Sequence, residues 1–389
     1  MSGDDDVPGA GLCVANIVIT IPCFVAAGTE VATLSLVSTL RAVGHGVTVC
    51  CYGHYDPAMK ERVGTCGGQW HSIDAEHEGR ISRWQAIRGM WRLFREVRPD
   101  CVHVQFVSPA TIALGARLMA GVPMGVLNVH TAGAAGYGLK NRLLFRLTAG
   151  LATQVVFVSE NARRFWMGAQ SRPNAHVIHN SVDTERFCDG ANRLDRLAER
   201  ARHGIPADAA VVGIVGRLVE MKGHRDLFAA VKSLQGSHPN VRVMVVGEGP
   251  DRARFEAFAT ELDLAGRVIW TGLVAPEDLT RVYPLFDVLA MPSRWEGFGL
   301  AAAEAMAAGV PVVGCRVSGL EEVVEDGVSG LLAPVGDVAS LASALGRLLD
   351  DRALARQMGA AGQARVERLY GRPVIEAKWQ AFYAGLGLG

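Results

Sequence analysis

Along the first half of the chain, short unbroken apolar runs alternate with longer stretches whose apolar residues recur every three or four positions. Residues 14–21 (Val-Ala-Asn-Ile-Val-Ile-Thr-Ile) form the first run, and 47–52, 101–106, 124–129 and 154–158 repeat it. Runs this short and this apolar predict strands buried on both faces. Residues 30–43 carry a helical pattern closed by Gly44. At 81–97, Ile81, Trp84, Ile87, Trp91 and Phe94 fall on one helical stripe, which predicts an ordinary core-packed helix. The rhythm restarts in the second half, with strands expected at 211–215, 241–246, 268–270, 288–291 and 310–314. Strands alternating with helices build a parallel sheet covered on both faces.

Two such series imply an α/β chain of two Rossmann-like domains facing a central cleft, with ligands at the carboxyl ends of the strands. The division falls between Val182 and Ala210, where the charged stretch 193–202 precedes Pro206. We assign residues 1–185 to the first domain and 186–371 to the second. A last helix, about 372–389, carries Trp379, Phe382 and Tyr383. A length of 389 residues suits two domains. Hydrophobic residues at 49% and charged residues at 20% allow sizeable cores. Lys+Arg and Asp+Glu balance at 39 each, which gives no footing for broad nucleic-acid binding. The eight cysteines include no C-x-x-C pair, and Cys50 and Cys51 are adjacent, so a reduced cytoplasmic protein is expected. No signal peptide or membrane-spanning run is expected either. Lysine occurs only at Lys60, Lys140, Lys222, Lys232 and Lys378, an arginine bias that suggests a GC-rich bacterial genome.

Candidate chemistry concentrates in residues 294–311, Arg-Trp-Glu-Gly-Phe-Gly-Leu-Ala-Ala-Ala-Glu-Ala-Met-Ala-Ala-Gly-Val-Pro. Gly309 and Pro311 stop an Ala-rich helix, which places Glu304 on that helix and Glu296 in the loop that feeds it. Small residues leave backbone N–H groups bare at the helix N-terminus, an anion site. A carboxylate on either side of an anion site suits a nucleotide sugar, with diols at both ends and a diphosphate between. Ordinary surface charge is the plainer reading of two glutamates, and the flanking glycines weigh against it. Farther back, strand 211–215 runs into Gly216-Arg217-Leu218-Val219-Glu220-Met221-Lys222-Gly223. Two cations at the carboxyl end of a strand can cradle a diphosphate, although paired surface cations are the alternative.

Glu296 and Glu304, eight positions apart in this context, resemble the paired glutamates of the retaining glycosyltransferases of family 4, which have the GT-B fold. The resemblance covers nearly the whole chain. It implies that Glu296 holds donor-sugar hydroxyls, that Gly297, Phe298, Gly299 and Leu300 bind through their backbone, and that Glu304 holds the ribose. Arg217 and Lys222 match the family's phosphate-binding Arg and Lys beside Gly216, and Gly272-Leu273-Val274 matches the segment whose backbone meets the base. The final helix is implied to cross back onto the first domain.

Weaker signals lie in the first domain. Ala27-Gly28-Thr29-Glu30 follows the first strand; the family usually has two glycines there, and here Ala27 replaces the first. Gly28 would still let backbone approach a diphosphate or acceptor, while Glu30 suits equally a site or the helix dipole. His130 ends strand 124–129 where the family has a His, with Thr131 in place of the usual acid. It could donate to a sugar hydroxyl or be a structural histidine. Asn180-Ser181-Val182-Asp183 resembles a family turn and reads best as a hinge, and Gly247-Glu248-Gly249-Pro250 as a tight turn near the nucleotide. The Asp4-Asp5-Asp6 string in the N-terminal tail carries no site.

The resemblance implies a retaining, metal-independent transferase with no cofactor beyond its nucleotide-sugar substrate, UDP-linked, and a small-molecule, glycan or lipid-linked acceptor. His130, Arg217, Lys222 and Glu296 would carry catalysis, with the leaving diphosphate taking the acceptor's proton. An epimerase or sugar phosphorylase on the same scaffold is the alternative. A nicotinamide-dependent oxidoreductase needs a Gly-x-Gly-x-x-Gly turn that neither Gly28 nor Gly247 supplies. Arg83, Arg88, Arg92 and Arg95 on helix 81–97 leave peripheral contact with the inner membrane face open.

Overall fold

The computed structural model describes residues 14–25, 28–73, 81–107, 110–131, 138–169 and 172–388. Its first sheet is built from β1 (Asn16–Ile21), β2 (Gly46–Cys51), β3 (Gln69–Ser72), β4 (Cys101–Gln105), β5 (Met124–Val129), β6 (Gln154–Phe157) and β7 (Ala175–Val177), in spatial order β3-β2-β1-β4-β5-β6-β7. The second contains β8 (Val211–Val215), β9 (Arg242–Val246), β10 (Val268–Gly272), β11 (Val288–Met291), β12 (Val312–Cys315) and β13 (Gly330–Ala333), in order β10-β9-β8-β11-β12-β13. Every pairing within the two sheets is parallel. Both are α/β layers of the expected kind, and in each the order reverses direction beside its first strand, opening a crevice at the carboxyl ends.

The side-chain period of two explains why the strands read as continuous apolar runs. Ile17, Ile19 and Ile21 pack on Leu36, Val37 and Leu40 of helix Gly28–Ala42. Val18, Val102 and Val104 face the other way, against Met90, Leu93 and Phe94 of helix Arg83–Val97. That helix corrects one expectation. Its buried stripe is Ala86, Met90, Leu93 and Phe94, whereas Trp84 is 80% exposed and Trp91 36%. A Ser82–Gln85 capping box sets its start.

Chain crossings join the two sheets. Val182 donates to the Tyr370 carbonyl at 2.9 Å and accepts from Arg372 at 2.9 Å, and Arg372 pairs with Asp183 at 2.8 Å. Helix Thr184–Arg193 then seats Phe187 in the core of the second sheet. The last helix, Arg372–Gly385, returns to the first: Ile375, Trp379 and Tyr383 are buried with β1 and β2. There the Tyr383 hydroxyl and His103 Nδ1 bond at 2.7 Å. Asp4, Asp5, Asp6 and Ala27 lie outside the described residues. Among the described residues no helix is long and apolar enough to cross a membrane.

Candidate functional site

Four strand ends of the second sheet are tied together by backbone bonds. Gly216 donates to the Val246 carbonyl at 2.9 Å, Gly247 to Gly272 at 2.9 Å, and Leu218 to Glu248 at 3.0 Å. Arg294, in the loop after β11, donates to Met221 at 2.8 Å. The turns bearing Gly216, Arg217, Lys222, Gly247, Val274 and Glu296 therefore form one rim. Val274 packs on the core beneath it, and Leu273 stands exposed.

Lys222 and Glu296 meet on this rim. Lys222 closes a single 3-10 turn, Glu220–Lys222, and its Nζ lies 2.6 Å from Glu296 Oε1. Ser293 Oγ donates to the same oxygen at 2.7 Å. Glu296 is 8% exposed, so this carboxylate is desolvated and held in one orientation. Both bonds land on Oε1, and Oε2 has no protein partner among the described residues. Arg217 is exposed, and its guanidinium makes no hydrogen bond or ion pair among the described residues. The rim thus offers one oriented carboxylate oxygen and one unspent guanidinium, a donor–acceptor set for hydroxyls and for a diphosphate.

Helix Leu300–Ala307 follows, with Gly299 before it at φ 98° and Gly309 just beyond. Glu304 is on this helix, as the sequence predicts. Its carboxylate accepts from the Tyr283 hydroxyl at 2.6 Å and shares no bond with the Lys222–Glu296 pair. Burial pushes its carboxyl up to about 7, against the pull of the Tyr283 hydroxyl. Phe298 is 2% exposed, its ring 5.1 Å from Tyr370, which leaves only backbone for a ligand.

The first sheet reaches this rim at two places. A Cβ on Gly28 would lie 3.5 Å from Leu300 Cδ2. Gly297 sits so close to His130 that an added Cβ would fall 2.0 Å from the His130 carbonyl oxygen. The His130 ring bonds Gln105 Oε1 through Nε2 at 2.5 Å. Burial holds its pKa down at about 3, so the ring is neutral. With Gln105 Oε1 accepting, Nε2 carries the proton and Nδ1 is an acceptor. The bond to Gln105 occupies Nε2, so Nδ1 is the ring nitrogen left for a sugar hydroxyl. Glu30 is buried beside Cys23, whose thiol donates to it at 3.7 Å; burial pushes this carboxyl to about 7.

Three contributors escaped sequence reasoning. Gln105 sits two residues from His103 on β4, so both face the same way, and two buried polar residues on one strand are the signal that was available. Ser293 stands three before Glu296, a spacing common to caps and easily passed over. Tyr283 had no signal: it reads as one more core aromatic.

The family model described as Glycosyltransferase Family 4 matches residues 26–186, and the one described as Glycosyl transferases group 1 matches 195–365. The D-inositol 3-phosphate glycosyltransferase of Corynebacterium urealyticum is 40% identical over 182 residues, 45% of this chain and 43% of that protein. The GDP-mannose-dependent alpha-(1-6)-phosphatidylinositol monomannoside mannosyltransferase of Mycolicibacterium smegmatis is 35% identical over 231 residues, 57% of this chain and 59% of that one. The chain thus spans about half the length of these relatives. The crystal structure of Anabaena Alr3699/HepE in complex with UDP and glucose superposes with a TM-score of 0.82 at 20% identity, covering 95% of this chain and 100% of that one. This likeness is one of fold, the GT-B arrangement of two facing sheets.

Proposed function

The chain belongs to glycosyltransferase family 4, and we propose that it moves a sugar from a UDP-linked donor to an acceptor hydroxyl, with retention at the anomeric carbon and without a metal ion. The Lys222–Glu296 pair, 2.6 Å apart on the rim beside an unpaired Arg217, carries this reading. Glu296 Oε2 accepts from donor-sugar hydroxyls. Arg217 and Lys222 face the diphosphate and neutralise the charge that grows as the C1–O bond breaks. Glu296 is already engaged by Lys222 and Ser293, which suits a sugar binder rather than a covalent nucleophile. A front-face path fits: the acceptor oxygen bonds C1 on the side the diphosphate leaves, and its proton passes to a diphosphate oxygen. His130 Nδ1, a neutral acceptor, takes a hydrogen bond from a sugar hydroxyl.

UDP is favoured because the Anabaena structure, alike in fold, holds it; the mycobacterial relative is named for GDP-mannose, so guanosine is the rival base. Thermal unfolding with UDP-, GDP- and ADP-sugars tests the donor. A ligand at a hundredfold its dissociation constant adds about 2.7 kcal/mol, a rise of a few degrees for a chain this size. Stabilisation by a UDP-sugar that Lys222→Ala abolishes supports the reading; no response to any nucleotide sugar overturns it. Conversion of the nucleotide sugar to its epimer without acceptor, with no net release of nucleoside diphosphate, would point to the epimerase alternative.

The acceptor side is proposed to lie at an anionic membrane surface. Leu139, Leu143 and Leu147 stand exposed in a row on helix Leu139–Leu151, beside Lys140, Arg142 and Arg146. Helix Ala110–Ala120 packs against both this helix and helix Arg83–Val97, and the latter adds Trp84, Arg83, Arg88, Arg92 and Arg95, with Glu96 the one acid among the residues of helices Arg83–Val97 and Leu139–Leu151. Apolar side chains in a cationic field match lipid headgroups, and a lipid-linked acceptor would be presented there. Sedimentation with phosphatidylglycerol vesicles should exceed that with phosphatidylcholine and fall for Leu143→Asp; equal partition would remove the membrane from the account.

A further inference from the structure

Glu322, on helix Ser318–Val323 of the second domain, places its carboxylate on the first domain. Oε2 accepts from the Glu160 amide at 3.0 Å and Oε1 from the Asn161 amide at 2.5 Å. These are the first two N–H groups of helix Glu160–Met167, which have no partner within the helix, while Ser159 Oγ caps Ala162 at 3.0 Å. A carboxylate at the positive end of that helix is favoured twice, by charge-assisted bonds and by the helix dipole. His179 Nε2 adds a contact at 3.2 Å, and the Asn161 side-chain Nδ2 donates to the Ser318 carbonyl at 2.5 Å. The Glu322 backbone is itself fixed, its carbonyl accepting from Tyr370 at 2.8 Å and Arg365 at 3.0 Å.

Both ends of this contact lead back to the site. In the second domain, Gly319 donates to the Glu296 carbonyl at 3.2 Å and packs so tightly that a Cβ there would come within 2.6 Å of the Gly297 and Phe298 backbone. In the first, Trp166 at the far end of helix Glu160–Met167 donates its indole N–H to the Thr131 carbonyl at 2.7 Å. Thr131 follows His130, whose carbonyl abuts Gly297. The contacts close a ring: the Glu296–Phe298 turn, Gly319, Glu322, helix Glu160–Met167, Trp166, Thr131, His130, and the turn again.

We propose that Glu322 is a positioning residue, a cross-domain latch that sets His130 against the Glu296–Phe298 turn by holding the N-terminus of helix Glu160–Met167. Its catalytic consequence rests on the reading of that turn as the donor-sugar site; its mechanical consequence does not. A nucleoside diphosphate held by Arg217 and Lys222 belongs to the second domain alone, so its affinity is independent of the latch. Turnover needs both halves in register and depends on it.

The test compares wild type with Glu322→Ala and with the isosteric Glu322→Gln, which keeps the shape but turns an NH2 group toward one helix amide. Glu322→Ala should lower kcat by about 10- to 100-fold, the range of a lost charge-assisted bond, with UDP affinity changed less than about twofold. Glu322→Gln should fall between the two, and remains informative where the alanine variant does not fold. Unchanged kcat in both, or UDP affinity falling in step with kcat, would overturn the proposal. Small-angle scattering reads the latch without any reaction: Glu322→Ala should have a larger radius of gyration than wild type and faster hydrogen exchange at the Glu160 and Asn161 amides. Equal radii and equal exchange would also overturn it, even if the wild type transferred sugar.

Discussion

Glu304 shows how environment changes what a residue can do. Its position on the helix was legible from the Gly309–Pro311 stop, but its protonation was not, because that depends on the buried Tyr283 hydroxyl contributed from twenty-one residues away in sequence. Burial moves its carboxyl from an ordinary 4.5 to about 7. A raised carboxyl holds its proton longer in the folded chain than in the unfolded one. The folded state is therefore favoured most below about pH 4.5, loses stability as pH rises toward 7, and levels off above. Glu30 shifts in the same direction, so the difference between wild type and Glu304→Gln isolates Glu304. The melting temperature of Glu304→Gln relative to wild type should climb between pH 4.5 and 7. Donor affinity of the wild type should rise through pH 7, while that of Glu304→Gln stays flat and about 10- to 100-fold weaker at pH 8, the worth of a charged hydrogen bond. Parallel pH profiles for the two proteins would mean that Glu304 neither titrates near 7 nor touches the donor. His130 teaches the same lesson: its place at a strand end was readable, but its neutral state and bond to Gln105 follow from tertiary burial.

At the scale of elements, legibility tracked burial on both faces. Strands β5, β8 and β11 match their sequence runs end to end, since each is a central strand with apolar neighbours on either side. The edge strands β3 and β13 and the outermost β7 were missed. Gln69–Ser72 and Ala175–Val177 are short and interrupted by polar residues, and Gly330–Ala333 has no β-branched residue to mark it. The Trp84–Trp91 stripe misled because large apolar residues were taken as core, when the smaller Ala86 and Met90 face the sheet. The loop from Glu296 to Gly299 was read correctly as glycine-rich, yet the reason for Gly297 is a contact with the other domain. Gly297→Ala should force the His130 carbonyl away and lower kcat at least tenfold, while the melting temperature stays within a few degrees of wild type, because the second core is untouched. A variant with wild-type kcat would show that the two halves need not touch there during turnover.

Across the whole molecule, two parallel sheets each carry a core on both faces, and the final helix returns to the first sheet through Trp379 and the Tyr383–His103 bond. That return contact spans 280 residues and lies beyond the reach of periodicity; only the resemblance to family 4 suggested it. The arrangement sets the first domain's His130 and Gly28 over the second domain's rim, which is what a transfer between two bound substrates needs. The most direct test of that account is proton NMR of the reaction with an α-linked UDP-sugar and an accepted hydroxyl. Reading the anomeric coupling of the first product formed, the account predicts an α-linked glycoside appearing with one UDP per linkage, in the presence of excess EDTA. A β-linked product, or UDP accumulating equally without acceptor, would contradict it.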